Sequence, residues 1–294
     1  MPILRIRHVT TYRYAQPVAF GEHRMMLRPR DDTDQRVLES ALEITPKPRR
    51  LAWAKDRFGN HVATAHFADR AAELSFVSNV RLDHVPAPFR ADAIADYART
   101  FPFNYAAADW PELKRFVLPL VRRPELDRWS AGFLGRDGSA DFHDLLVAMT
   151  LSIRKSFRHV ARHEKGIQDP LETLDLGSGS CRDLAMLMIA ALRSRGIAAR
   201  FVSGYLHLED DEDDDVADGN THAWVQVYVP GPGWVDFDPS AGIVGNRNLL
   251  RVAVVHDPRE AIPLQGTWFG SASDHLAMTV AVRVTAAVSG PEHR

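Results

Sequence analysis

The chain contains a single cysteine, Cys181, in a setting that bears on its reactivity. Apolar residues follow it at 184, 187, 188, 191 and 192, the spacing of an amphipathic helix that begins at the cysteine. Ser180 and Asp183 predict a capping box, and Gly196 predicts the end of this helix. Unpaired N–H groups and the helix dipole favour a thiolate in a first turn. Cys181 is therefore a candidate nucleophile, and the alternative is an inert cysteine in the core.

A hairpin nearer the C-terminus offers a histidine as the base. Residues 222–229 alternate between polar or aromatic and apolar side chains, which predicts a strand. One face of this strand carries His222, Trp224, Gln226 and Tyr228, and we expect that face to be too polar for a core. The alternative role for His222 is that of a surface residue at a strand end.

The returning strand carries two aspartates, Asp236 and Asp238. With a three-residue turn at 230–232, Asp238 lies diagonal to His222, within reach of its ring, whereas Asp236 falls opposite Gln226. We therefore predict that Asp238 orients His222, although Asp236 competes by spacing alone. A nucleophile, a base and an orienting carboxylate together perform acyl transfer.

The elements that must position these residues fall into two parts, which predicts an α+β fold. Residues 1–90 read as an antiparallel, β-sandwich-like domain, and Pro86 and Pro88 mark its end. Residues 91–294 read as an α+β core with a helical lead-in. Helical patterns cover 113–129 and 141–158. Strand patterns cover 3–14, 37–45, 51–56, 61–67, 74–85, 198–208, 222–229, 234–237, 250–255 and 276–284.

Four segments, taken in order, resemble the core of the transglutaminase-like superfamily. They are Gly-Ser-Cys-Arg-Asp at 179–183, Gly-Ile-Ala-Ala-Arg-Phe-Val-Ser-Gly-Tyr-Leu at 196–206, Thr-His-Ala-Trp-Val at 221–225 and Gly-Trp-Val-Asp-Phe-Asp-Pro-Ser at 233–240. Residues 1–90 resemble the β domain that often precedes this core in bacterial members, through Tyr12-Arg-Tyr and Met25-Met-Leu-Arg-Pro.

This resemblance implies a papain-like or transglutaminase-like core, in which the cysteine helix packs on an antiparallel sheet. It also implies Cys181 as nucleophile, His222 as general base and acid, and Asp238 as the orienting carboxylate. It implies a cysteine protease, amidase or acyltransferase that acts on peptide or protein amides through a thioester, without cofactor or metal. The alternative is an inactive peptide-binding scaffold. Trp224 is a candidate second oxyanion donor through its indole N–H, and packing is its other reading. Leu184-Ala-Met186 and Gln226 depart from common family residues, which bears on substrate preference.

Composition narrows the choice of partners and compartment. A formal net charge of −2 and a pI near 6.7 give no general attraction to nucleic acid or anionic membranes. No signal peptide is evident, and a lone cysteine excludes an internal disulfide, so we expect a cytoplasmic protein. Seven consecutive acidic residues at 209–215 lack the spaced ligands of a calcium loop and predict a solvated loop. The sequence does not indicate an oligomeric state.

Overall fold

The first strands of the chain pair into one antiparallel sheet. The structure is a computed structural model, and it describes residues 3–86, 88–119, 123–162, 166–207 and 221–286. Strands β1 to β5 are Ile3–Met25, Gln35–Thr45, Arg50–Lys55, His61–His66 and Arg70–His84, in the order β2-β5-β1-β4-β3. Alternate residues of β5 from Leu74 to Leu82 are buried, as the period of two requires when one face of a strand covers a core.

A helical region follows, interrupted by very short strands. In chain order its elements are β6 (Thr100–Phe101), α1 (Trp110–Val117), α2 (Pro124–Ala131), β7 (Ala140–Asp141), α3 (Phe142–Ser156), β8 (Arg158–His159), α4 (Pro170–Leu176), β9 (Ser178–Gly179) and α5 (Cys181–Ser194). The single helix predicted over 113–129 is wrong, because it is divided into α1 and α2. Pro119 and Pro124 explain the break, since the residue before a proline is disfavoured in a helix.

The helix α5 is the centre of the molecule. It begins at Cys181, as predicted, and every residue from Asp183 to Arg193 is buried. Its apolar residues share one continuous core with side chains of the N-terminal sheet such as Leu4 and Leu82. Because this helix is covered on all sides, its first turn is held firmly in place.

A second antiparallel sheet packs against α5. Its strands are β10 (Ala199–Leu206), β11 (His222–Val229), β12 (Gly233–Asp238), β13 (Ile243–Val244) and β14 (Leu249–Val255), in the order β13-β12-β11-β10-β14. Ala223, Val225 and Val227 share the core of α5. Within the hairpin, Gln226 pairs with Asp236, which confirms the register predicted from the three-residue turn.

The other face of the second sheet is also covered, contrary to expectation. Trp224 is fully buried and Gln226 is almost so. Phe58 of the N-terminal part packs against the buried cluster that contains Trp224. Beside it, Asn60 exchanges two hydrogen bonds, each of 2.9 Å, with the backbone of Val254 on the edge strand β14. The polar residues of this face are buried because they find hydrogen-bond partners there.

The last strands of the described chain return to the first sheet. Strands β15 (Leu264–Phe269) and β16 (His275–Ala286) both pair antiparallel with β1. The sequence placed all of residues 91–294 in the core, but β15 and β16 belong to the first sheet, so the prediction is wrong for these two strands. The boundary at residue 90 stays a prediction. An alternating pattern identifies a strand, but it does not say which sheet edge the strand will join.

The acidic run at 209–215 lies outside the described residues. Across the described ranges, no helix combines the length and the apolar composition that crossing a bilayer requires.

Candidate active site

The position of Cys181 is fixed by the buried carboxylate of Asp183. Its oxygens accept hydrogen bonds from the Ser180 amide (2.9 Å) and hydroxyl (2.7 Å), from the Gln168 amide (2.8 Å) and from Arg162 (2.9 Å). A buried charge of this kind is stable only when it is fully paired. The predicted capping box is therefore present, and it also ties two flanking segments to the first turn of α5.

Gly179 allows this close approach. A Cβ atom at this position would lie 2.7 Å from the Cβ of Asp183, well inside van der Waals contact. Glycine is therefore required where β9 passes over the start of α5.

His222 and Asp238 come together at the end of the hairpin. The Nε2 atom of His222 lies 2.6 Å from Oδ2 of Asp238, which is fully buried. The second oxygen of Asp238 accepts from the amide (2.8 Å) and hydroxyl (2.7 Å) of Ser240 and from the Ala241 amide (3.1 Å). Because Nε2 is engaged by the carboxylate, Nδ1 is the ring nitrogen left to meet Cys181.

The thiol and the imidazole change each other's charge state. Burial raises the pKa of Cys181, but hydrogen bonds from His159 and His222, the charge of His222 and the Ala223 amide outweigh it and lower the pKa to about 6. Burial lowers the pKa of His222, yet its contacts with Asp238 and Cys181 raise it to about 10. Near neutral pH the pair is therefore a thiolate and an imidazolium, the reactive form of a cysteine nucleophile.

His159 is a site residue that the sequence reasoning missed. Strand β8 pairs in parallel with β9, so that His159 lies beside Gly179, and the next amide, of Val160, donates to the Gly179 carbonyl at 3.0 Å. This short ladder brings the His159 side chain to the thiol of Cys181, with which it hydrogen-bonds. A strand of two residues has no periodic pattern, so no sequence signal was available to place it.

Comparison with known families agrees with this geometry. Residues 4–83 match the model of the bacterial transglutaminase-like N-terminal region, and residues 135–239 match that of the transglutaminase-like superfamily. The second match includes Cys181, His222 and Asp238. The chain belongs to the transglutaminase-like superfamily. The family resemblance drawn from the four motifs and the α+β fold class are both confirmed.

Three similar proteins match this chain over different lengths. An uncharacterized protein of Mycobacterium leprae is 25% identical over 95% of this chain and 98% of its own length. A crystal structure from Cytophaga hutchinsonii, named as a candidate cysteine protease, is 19% identical with a TM-score of 0.72 and covers 99% of this chain and 93% of its own. A protein-glutamine gamma-glutamyltransferase of Pseudomonas aeruginosa is 35% identical, but over only 28% of this chain and 12% of its own length. The structural likeness to the Cytophaga hutchinsonii protein shows that the two chains share a fold.

Trp224 does not serve the transglutaminase-like site in the way we expected. Its indole N–H donates to Oδ1 of Asp236 at 2.6 Å, in a fully buried setting. The indole lies nearly parallel to the His222 ring, with centroids 6.1 Å apart and planes at 28°. Trp224 therefore supports the histidine ring by packing, and its N–H is already used, so its candidacy as an oxyanion donor fails.

One group of potential metal ligands occurs among the described residues, and it includes none of Cys181, His222 and Asp238. The donor atoms of Asp141, His143 and Asp144 lie within 4.8 Å of one another. Asp141 already accepts from the Asp144 amide to cap α3, and the Asp144 carboxylate contacts His143. These local contacts account for the cluster, and we assign no metal to it.

Proposed function

We propose that this protein is a cysteine hydrolase of amide bonds that forms a thioester on Cys181. The observation that carries the proposal is the meeting of Cys181, at the start of α5, with His222, whose ring is held by Asp238. The hydrogen bonds and the charge of His222 act against burial and lower the pKa of Cys181 to about 6. An inert core cysteine has its pKa raised by burial, whereas here the surrounding donors reverse that effect.

In the acylation step the Cys181 sulfur attacks the carbonyl carbon of a carboxamide or peptide bond. A carbon–sulfur bond forms and the carbonyl oxygen takes the negative charge. His222 then gives its proton to the leaving nitrogen, the carbon–nitrogen bond breaks, and ammonia or an amine departs from the thioester. Asp238 keeps the imidazole in the orientation for this transfer.

In the second step the neutral His222 takes a proton from water, which attacks the thioester carbon. The carbon–sulfur bond breaks, the carboxylic acid leaves, and the thiolate–imidazolium pair is restored. The chain therefore needs no further group to complete the cycle.

Backbone amides are the oxyanion donors in this scheme. The Cys181 N–H lies in the first turn of α5, where helix geometry leaves it without an intrahelical acceptor. The Ala223 N–H is directed at the Cys181 sulfur, so it borders the position of the attacked carbonyl. Two such donors stabilise the developing charge most when they are fixed beforehand.

Transfer to an amine instead of water is the second candidate reaction. Its support is the local match to the Pseudomonas aeruginosa protein-glutamine gamma-glutamyltransferase. Both reactions share the acylation step, and only the acceptor differs.

Trapping the acyl-enzyme tests the proposal. We would incubate the full chain with a library of peptide amides, quench it in acid, and locate the added mass on Cys181 by mass spectrometry. We expect an acyl adduct in the wild type, none in Cys181→Ala, and far slower formation in His222→Gln. A peptide that binds without ever acylating Cys181 would instead establish a non-catalytic scaffold. Adding a primary amine such as glycine ethyl ester then distinguishes transfer from hydrolysis by the product formed.

A further inference from the structure

A cavity of about 370 Å3 lies between the N-terminal part of the chain and the second sheet. The N-terminal part contributes Asp32 to Asp34 and the segment around Phe89 to its lining. The second sheet contributes residues of β10, β11, β12 and β14. Cys181, His222 and Asp238 are not part of this lining. The volume falls in the range of small-molecule pockets, which is roughly 300–1,000 Å3. The cavity is therefore a second potential binding site, separate from the triad.

Arg200 forms the cationic centre of this cavity. Its Nε donates to Oε1 of Gln226 at 2.9 Å, and its guanidinium carbon lies 4.0 Å from the ring centroid of Trp234. These two contacts fix the plane of the guanidinium. Among the described residues, nothing accepts a hydrogen bond from its two terminal nitrogens. A fixed guanidinium with both terminal nitrogens available is suited to a bidentate oxyanion.

The acidic groups of the lining do not neutralise Arg200, because they are bound to Arg251. Asp236 accepts from Arg251 at 2.7 Å, Asp34 is in contact with the same guanidinium, and Asp32 lies 3.8 Å from it. Burial lowers the pKa of Arg200 to about 9, and the charges of Arg30 and Arg251 add to the effect while Asp236 and Asp32 partly oppose it. A partly buried cation without a paired carboxylate gains stability when an anion arrives.

The cavity lining also has an apolar part. Pro88, Phe89 and Pro232 contribute to it together with the Trp234 ring that stacks on Arg200. We propose that this cavity binds a small organic carboxylate with an apolar body, the carboxylate held by Arg200 and the body packed against Trp234 and Phe89. This site does not depend on the function proposed for Cys181.

A pair of ligands that differ only in charge tests the site directly. Benzoate and benzamide have nearly the same shape, but only benzoate carries a carboxylate. We would titrate each into the full chain by calorimetry across the millimolar range at constant ionic strength, and follow the midpoint of thermal unfolding. We expect saturable binding of one benzoate per chain, a raised unfolding midpoint, and binding of benzamide at least about tenfold weaker.

Variants locate the binding. Arg200→Gln should weaken benzoate at least about tenfold, and Trp234→Leu, which keeps the cation, should weaken it several-fold. Arg13→Gln removes an equal charge from an exposed pair with Glu73 and should leave binding unchanged. Cys181→Ala should also bind normally, so failure here is distinct from failure of the proposed reaction.

Three results would overturn the site. They are equal affinity for benzoate and benzamide, unchanged benzoate binding in Arg200→Gln, and no benzoate binding by the wild type beyond the effect of matched sodium chloride. If Arg200→Gln does not fold, the comparison of benzoate with benzamide in the wild type and in Trp234→Leu still decides the matter.

Discussion

Two aspartates separated by one residue on β12 serve two different networks. Asp238 binds the imidazole of His222, which continues to the thiol of Cys181. Asp236 binds the guanidinium of Arg251 and the indole of Trp224. Both carboxylates are buried, and both lie on the same face of the same strand.

The difference lies in the partner rather than in the aspartate. An imidazolium can give its proton to a leaving group during a reaction and take one back from water, so the Asp238 network can move a proton. A guanidinium remains charged in proteins, so the Asp236 network can only hold structure. The same residue type therefore supports chemistry at Asp238, whereas at Asp236 it ties three strands of the second sheet together. Four substitutions test this contrast, in order of decreasing expected effect.

Asp238→Asn should lower kcat/KM by about 10³–10⁴-fold, because an amide neither stabilises the imidazolium nor holds the right tautomer. Hydrolysis of the peptide identified by trapping gives the measurement. The matched control is Asp236→Asn, which should stay within about tenfold of the wild type under conditions where it is folded. Similar losses in both variants would remove the distinction between the two aspartates.

Asp236→Ala should destabilise the fold by about 3–5 kcal/mol, since it breaks a buried ion pair and leaves the Trp224 N–H without an acceptor. Urea unfolding measures this change. Glu73→Ala, which breaks the exposed pair with Arg13, is the control and should cost at most about 1 kcal/mol. Equal losses in the two variants would show that the buried contacts of Asp236 do not stabilise the second sheet.

Ser240→Ala should reduce kcat/KM roughly tenfold, because the Asp238 carboxylate loses one charge-assisted hydrogen bond and keeps two from backbone amides. Ser139→Ala is a matched control, since Ser139 makes a similar hydroxyl contact of 2.8 Å to the exposed Asp137. That variant should retain full activity. A loss as large in Ser139→Ala would point to a general effect of hydroxyl removal.

His159→Gln should raise the pKa of Cys181 above about 6, because one of the hydrogen bonds that favour the thiolate is weakened. Alkylation at pH 6 should slow several-fold, and less than in His222→Gln, which also loses a positive charge. His143→Gln changes a half-buried histidine that contacts Phe89 and should have no effect. An unchanged pKa in His159→Gln would remove His159 from the site.

The sequence predicted those features that depend on short stretches of chain. The start of α5 at Cys181 follows from a local cap, and the meeting of His222 with Asp238 follows from one turn length. It did not predict which sheet would receive β15 and β16, because a strand pattern carries no information about its partner. It also missed the contact of His159 and the burial of Trp224, since both depend on segments distant in sequence. Compartment and partners stay predictions.

The chemistry that we propose requires Cys181 to be a thiolate paired with a protonated His222. The most direct test is the rate of alkylation of Cys181 by iodoacetamide between pH 4 and pH 10, in the wild type and in His222→Gln. Only the thiolate reacts, so the wild-type rate should rise with pH around a midpoint of about 6, and the variant midpoint should move up towards the ordinary value of about 8.5. Coincident midpoints near 8.5 in both proteins would contradict the claim.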